Sequence, residues 1–129
     1  MRSKIETYPD YTELSGLDEV QGKFVQFEWQ GNEYLLFATR DQHRFHNQML
    51  AHFMDDHAIP HRWVDDQTLE IDSDALKIIG GGRFLYRREQ NLLELWDNSQ
   101  AYGRFNESGI KAKIHAANHH WSGANVLVR

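Results

Sequence analysis

The stretch from residue 76 to 96 limits the possible folds of this chain more than any other. Leu76-Lys77-Ile78-Ile79 runs into Gly80-Gly81-Gly82 and then into Arg83-Phe84-Leu85-Tyr86-Arg87-Arg88. Glu89-Gln90-Asn91 turns the chain, and Leu92-Leu93-Glu94-Leu95-Trp96 returns. Two β-prone runs around a short polar turn predict a hairpin. Its strands carry large apolar groups on both faces, Phe84 beside Leu85 and Leu95 beside Trp96. Strands of that kind are covered on both sides, so helices are expected above and below the sheet. The fold class that follows is α/β (α+β), a single mixed β-sheet flanked by two main helices.

The rest of the chain supplies the missing pieces. Lys23-Phe24-Val25-Gln26-Phe27-Glu28-Trp29 alternates, Gln30-Gly31-Asn32 turns, and Glu33-Tyr34-Leu35-Leu36-Phe37-Ala38 resumes as a second hairpin. From Asp41 the period changes. Phe45, Met49, Leu50, Phe53 and Met54 recur at helical spacing, with Asp41 as the candidate N-cap and an end near Ala58, before Pro60. Arg62-Trp63-Val64 and Thr68-Leu69-Glu70-Ile71 read as short strands, or as one strand with a break. Asn106 is a candidate N-cap for a second helix reaching about Asn118, and Asn125-Val126-Leu127-Val128 closes as a last strand. Residues 1–22, polar and broken by Pro9, Ser15 and Gly16, are expected as a loosely held lead-in to one domain over 23–129.

Composition narrows the function. With 129 residues there is room for one domain, and one near this size buries roughly two thirds of the surface its unfolded chain exposes. The absence of cysteine removes disulfides, thiolate metal sites and cysteine nucleophiles. It suits a reducing compartment, and the polar start Met1-Arg2-Ser3-Lys4-Ile5-Glu6 does not resemble a secretory signal, so a cytoplasmic location is expected. There is no run of about 18 apolar residues to cross a membrane. A net charge of −5 argues against a general nucleic-acid or anionic-membrane partner. The oligomeric state is not legible.

Three places could hold chemistry. The triple glycine followed by Arg83 either offers backbone N–H groups to an anion or marks a bulge or a close approach of two backbones. The loop Asp97-Asn98-Ser99-Gln100-Ala101-Tyr102-Gly103-Arg104 can present N–H groups and a hydroxyl to an oxyanion, or is an ordinary connection. His46 falls in the first turns of the first helix, beside the Phe45/Met49 stripe, where it can look outward near free N–H groups. His43 with His46, or His115 with His119, makes at most half a metal site, so no metal and no other cofactor is expected.

In order along the chain, Tyr34-Leu35-Leu36-Phe37, Phe45-His46, Gly80-Gly81-Gly82-Arg83, Ser99-x-Ala101-Tyr102-Gly103 and Ile110-Lys111-Ala112-Lys113 resemble the Janus/ocnus family of phosphohistidine phosphatases. The resemblance covers roughly residues 23 to 128. It implies hydrolysis of a phosphoramidate on histidine without metal or cofactor, with a phosphorylated protein or small phosphoramidate as partner. His46 matches the catalytic histidine, as general base or nucleophile. Asn47, Ser99, Gln100, Ala101 and Arg83 match phosphate-holding positions. One position departs: family members carry a lysine where this chain has Glu33, and a carboxylate there would repel a phosphoryl group. Arg104 could then supply the cation, the substrate could differ, or the activity could be weak or absent. Two other readings remain beside it: a non-catalytic protein that binds a phosphorylated or acidic ligand in the same pocket, and a metal-dependent hydrolase using the surplus histidines.

Overall fold

A computed structural model, which describes residues 2–72 and 74–129, places the 76–96 hairpin in the middle of a mixed sheet. The elements in order are β1 (Arg2–Tyr8), α1 (Tyr11–Leu14), β2 (Glu19–Trp29), β3 (Asn32–Thr39), α2 (His46–Asp56), β4 (His61–Trp63), β5 (Leu69–Ile71), β6 (Leu76–Arg87), β7 (Leu92–Trp96), α3 (Ile110–Ala116) and β8 (Asn125–Val128). Six strands form the sheet in the order β1-β3-β2-β6-β7-β8. The inner pairings are antiparallel, and the outer strands β1 and β8 run parallel to their neighbours. β4 and β5 pair separately as a small antiparallel sheet. Among the described residues no helix is long and apolar enough to cross a membrane.

Alternation along the strands divides the core in two. Val25, Phe27, Tyr34, Leu36 and Ala38 face α2 and pack on Met49, Leu50, Phe53 and Met54. Phe24, Leu35, Phe37, Phe84, Leu93 and Leu95 face the other way, onto Ile110 and Ile114 of α3 and onto Trp121 in a short 3-10 turn, His120–Gly123. Each such large side chain contributes roughly 1.5–3 kcal/mol by leaving water. One helix lies on each face of the sheet, but the hairpin at 83–96 is covered only on the α3 side. None of its residues packs in the cluster on α2 and its other face stays open, against the expectation of cover on both sides.

Three boundaries differ from the sequence reading. Residues 2–8, expected as part of a loosely held lead-in, form an edge strand registered along β3 from Arg2 opposite Asn32 to Tyr8 opposite Ala38. The first helix begins at His46 and not after Asp41, because the N–H groups of Gln42 and His43 close a turn on the Thr39 carbonyl. The Gln48 side chain then accepts from the N–H groups of Arg44 and Phe45, which fixes Phe45 as the N-cap. α3 begins at Ile110 behind Gly109, whose φ of +73° is one a glycine adopts without strain. Asn106 instead caps a turn, accepting from Ser108 N–H.

Candidate functional site

Moving the helix start to His46 changes which residue heads its apolar stripe. His46, Met49, Leu50, Phe53 and Met54 follow the i, i+3, i+4, i+7, i+8 spacing, and all are buried. Phe45, expected on that stripe, is 55 % exposed, and His46, expected to look outward, is 5 % exposed. The imidazole lies flat against the sheet over Gly81. A methyl group at Gly81 would come within 2.8 Å of His46 Cδ2 and 2.9 Å of Nε2. The other two glycines make room on the opposite side: a methyl at Gly80 would strike the Arg104 carbonyl, and one at Gly82 the Trp96 carbonyl and the Phe105 ring. The triple glycine therefore marks a close approach of backbones. It is not an open anion cradle, since Gly81 N–H already donates to the Gly103 carbonyl at 3.0 Å.

His46 Nε2 is 3.0 Å from the Gly82 carbonyl oxygen, so Nε2 carries the proton and donates it. Nδ1 then holds the lone pair. It makes no hydrogen bond among the described residues and is not one of the buried unpartnered polar atoms, so it keeps access to the surface. Burial holds the imidazole pKa below its usual value, Lys23 lowers it further, and the carbonyls of Gly82 and Phe24 with the Asp97 carboxylate oppose this. At neutral pH the ring is uncharged.

Beyond the first residue of α2 that face of the sheet is uncovered. Lys23 and Arg83 are register partners on β2 and β6, on the same face as Val25 and Gly81. With Arg40 and Arg44 from the β3–α2 connection, and Phe45 and Trp96 as walls, they line an open groove of about 390 Å³. Lys23 Nζ sits 5.4 Å from the centre of the Phe45 ring, and Arg83 Nε is 3.3 Å from Asp97 Oδ2. The main-chain N–H groups of His46 and Asn47 make no hydrogen bond among the described residues, so the positive end of α2 keeps free donors one residue beyond Phe45, although His46 and Asn47 do not themselves line the groove. The Asn47 side chain points elsewhere, donating to the Gln67 carbonyl at 2.8 Å.

The other expected residues divide. The loop from Ser99 to Gly103 is closed by paired main-chain bonds, Ser99 N–H to Gly103 O at 3.0 Å and Gly103 N–H to Ser99 O at 2.8 Å. Gly81 thus has the His46 ring on its face and this loop at its edge, and Tyr102 packs on the α2 side of the sheet. Gln100 and Ala101 are exposed and their N–H groups make no hydrogen bond among the described residues. Ser99 does not present its hydroxyl: it is 1 % exposed, and Oγ accepts from Tyr102 N–H at 3.1 Å. Arg104 is not a spare cation either. It bonds Glu107 at 3.0 Å, the Asp97 carbonyl at 3.0 Å and a main-chain oxygen of Arg129 at 2.7 Å.

Glu33 lies away from His46. It shares the face of Leu35 and Phe37, opposite α2, where Lys113 Nζ meets its carboxylate at 3.0 Å and Gln26 donates at 3.4 Å. No repulsion of a ligand in the groove arises from it. The cation near His46 is Lys23, which sequence reasoning missed; a lone lysine at the head of a strand gains meaning only once the β2–β6 register pairs it with Arg83. Among the described residues no group of three His, Cys, Asp or Glu side chains is placed to hold a metal ion. A scan of protein-family models finds no match to this chain, and no curated protein matches it.

Proposed function

We propose that the chain is a metal-independent phosphoramidate phosphatase acting on phosphohistidine, as its resemblance to the Janus/ocnus phosphohistidine phosphatases implies, and that it works in the cytoplasm, as its lack of cysteine and its polar start suggest. The observation that carries the reading is the state of His46: neutral, with Nε2–H anchored on the Gly82 carbonyl and only Nδ1 free. Lys23, Arg83 and the N–H groups at the start of α2 offer charge for phosphoryl oxygens beside it. The exposed N–H groups of Gln100 and Ala101 add donors at the edge of Gly81. Preorganised donors of this sort stabilise charge that develops in the transition state. In hydrolysis Nδ1 takes a proton from water as its oxygen bonds to phosphorus. The P–N bond breaks, and the released imidazole nitrogen takes a proton from solvent. As nucleophile, Nδ1 itself bonds to phosphorus while the substrate P–N bond breaks and the released imidazole takes a proton from solvent. Water then attacks phosphorus, cleaves the bond to Nδ1 and releases phosphate, and a trapped acid-labile phosphoenzyme distinguishes this route.

The test is turnover of a phosphohistidine peptide and of phospholysine by wild type and His46→Ala, with chelator present. Loss of a positioned base or nucleophile should lower the rate by about 10²–10⁴. The rate should rise with pH through a midpoint below about 6.5, because the neutral ring is the active form and its pKa is lowered. Equal rates for wild type and His46→Ala would sink the catalytic reading. A binding reading has one observation in its favour: the Ser99 hydroxyl is turned inward and Arg83 already has Asp97, so fewer groups are free for catalysis. No turnover by either protein, with phosphate binding lost in Arg83→Ala, would establish that reading in its place.

A further inference from the structure

The groove holds more positive charge than one phosphoryl group needs, and of its four cations only Arg83 has a carboxylate partner among the described residues. Arg62, Arg83, Arg87, Arg88, Arg104 and Arg129 each pair with a carboxylate. Among the described residues Arg40 and Arg44 form no ion pair, and Lys23 has only the Phe45 ring. Three uncompensated cations thus converge on one open groove in a chain of net charge −5. Lys23 is held below its usual pKa by burial and then by Arg83 and Arg40, against the Asp97 carboxylate, so the cations repel one another and Asp97 offsets that only in part. An arrangement that repels itself when empty is relieved by an anion.

We infer that Arg40 and Arg44 form a second anionic subsite, and that the groove takes an acidic polypeptide segment with its phosphoryl group toward His46. This rests on the phosphatase reading for the His46 end only. A small phosphoramidate would leave the Arg40/Arg44 end unfilled, whereas aspartate or glutamate residues flanking the phosphorylated position would reach it. A nucleotide is a poorer match, because the Arg129 guanidinium already lies over Trp96 at 4.6 Å and Phe45, though exposed, carries Lys23 over its ring. The groove is open to solvent, and four of its lining residues, Lys23, Arg40, Arg44 and Arg83, are cationic while none is acidic.

The experiment compares two phosphohistidine peptides, one flanked by Asp and Glu and one by Gly and Ser, at low and high salt. Exposed ion pairs are each worth up to a few-fold in affinity. Two of them should lower KM for the acidic peptide by about three- to tenfold at low ionic strength, and the preference should shrink as salt screens it. The double variant Arg40→Ala/Arg44→Ala should bring the KM ratio close to one. Equal KM values for the two peptides in the wild type, or a preference that survives in the double variant, would overturn the inference. Should no peptide be hydrolysed, the phosphatase reading fails separately, and fluorescence anisotropy with unphosphorylated acidic and neutral peptides still reads the subsite. Binding that is selective for the acidic peptide, salt-sensitive and lost in the double variant upholds it. Absence of such binding, or tighter binding of a single-stranded oligonucleotide, overturns it.

Discussion

Replacing Gly81 by alanine should displace the catalytic candidate without touching it chemically. The new methyl group would lie 2.7 Å from the Phe24 carbonyl oxygen, 2.8 Å from His46 Cδ2 and 2.9 Å from His46 Nε2. The carbonyl belongs to central strand β2, so β6 has to shift at residue 81 to clear it and the imidazole has to move as well. Forcing a methyl into a filled site costs about 1–3 kcal/mol. Stretching the 3.0 Å bond from Nε2 to the Gly82 carbonyl beyond reach adds about 1 kcal/mol. A total of about 2–4 kcal/mol corresponds to a fall in melting temperature of about 8–16 °C for a domain of this size. Activity should fall by about 10² even in the folded fraction, since a displacement near 1 Å is enough for that. Thermal denaturation gives the first number, and an NMR titration of the His46 ring gives a second, independent readout. Freed from the cramped site, His46 should titrate closer to its ordinary value. Gly16→Ala, where nothing lies within 4 Å, is the control and should stay within about 0.5 kcal/mol of wild type. If Gly81→Ala melts within about 2 °C of wild type and leaves the His46 titration unchanged, the placement of the ring on Gly81 is wrong.

Two further outcomes test other parts of the fold. Lys113→Met should destabilise the protein by about 2–4 kcal/mol in chemical denaturation, because it leaves the Glu33 carboxylate, 7 % exposed, without its cation; Glu33→Lys should also destabilise, by setting two ammonium groups together, and should not tighten phosphate binding. His119 is held to a pKa of about 4 by burial and then by neighbouring His120, against Asp10, while in the unfolded chain it titrates near 6.5. A lowered value means that the unfolded state binds the proton more strongly, so this contribution is complete above pH 6.5 and is lost as pH falls toward 4. It amounts to at most about 3 kcal/mol. His119→Asn keeps an acceptor for Trp121 N–H, which His119 Nδ1 now serves at 3.0 Å, and should flatten the pH dependence of stability over that window; parallel curves for the two proteins would contradict the assignment.

Much of the sheet was legible because its information is local. The hairpins at 23–38 and 83–96 carry their own alternation and their own turns, and a sheet between two helices follows, although the second hairpin is covered by a helix on one face alone. β1 was not legible for the opposite reason. It is an edge strand with only Ile5 fully in the core, and its place is set by main-chain bonds to β3, which leave no trace in side-chain pattern. The first helix was misplaced because Asp41 has the chemistry of an N-cap, whereas the actual stop is made by a side chain inside the helix, Gln48, reaching back to Arg44 and Phe45. His46 and Gly81 were each noticed, but that the glycine exists to seat the histidine is a fact of two elements 35 residues apart. Lys23, Arg40 and Arg44 were overlooked as scattered charges until the register of β2 on β6 gathered them.

The late start of α2 has a geometric consequence of its own. Eleven helical residues span about 16 Å, whereas the twelve of β6 extend about 40 Å, so a helix laid on this sheet covers less than half of the strand beneath it. The groove is what remains unroofed. Had residues 41–45 continued the helix upstream, about 7 Å more of the sheet would be roofed, and Lys23 and Arg83 would lie beneath a helix and not in water. Gln48, whose side chain among the described residues bonds only the main chain of Arg44 and Phe45 just ahead of its own helix, holds that late start and so leaves the doorway open.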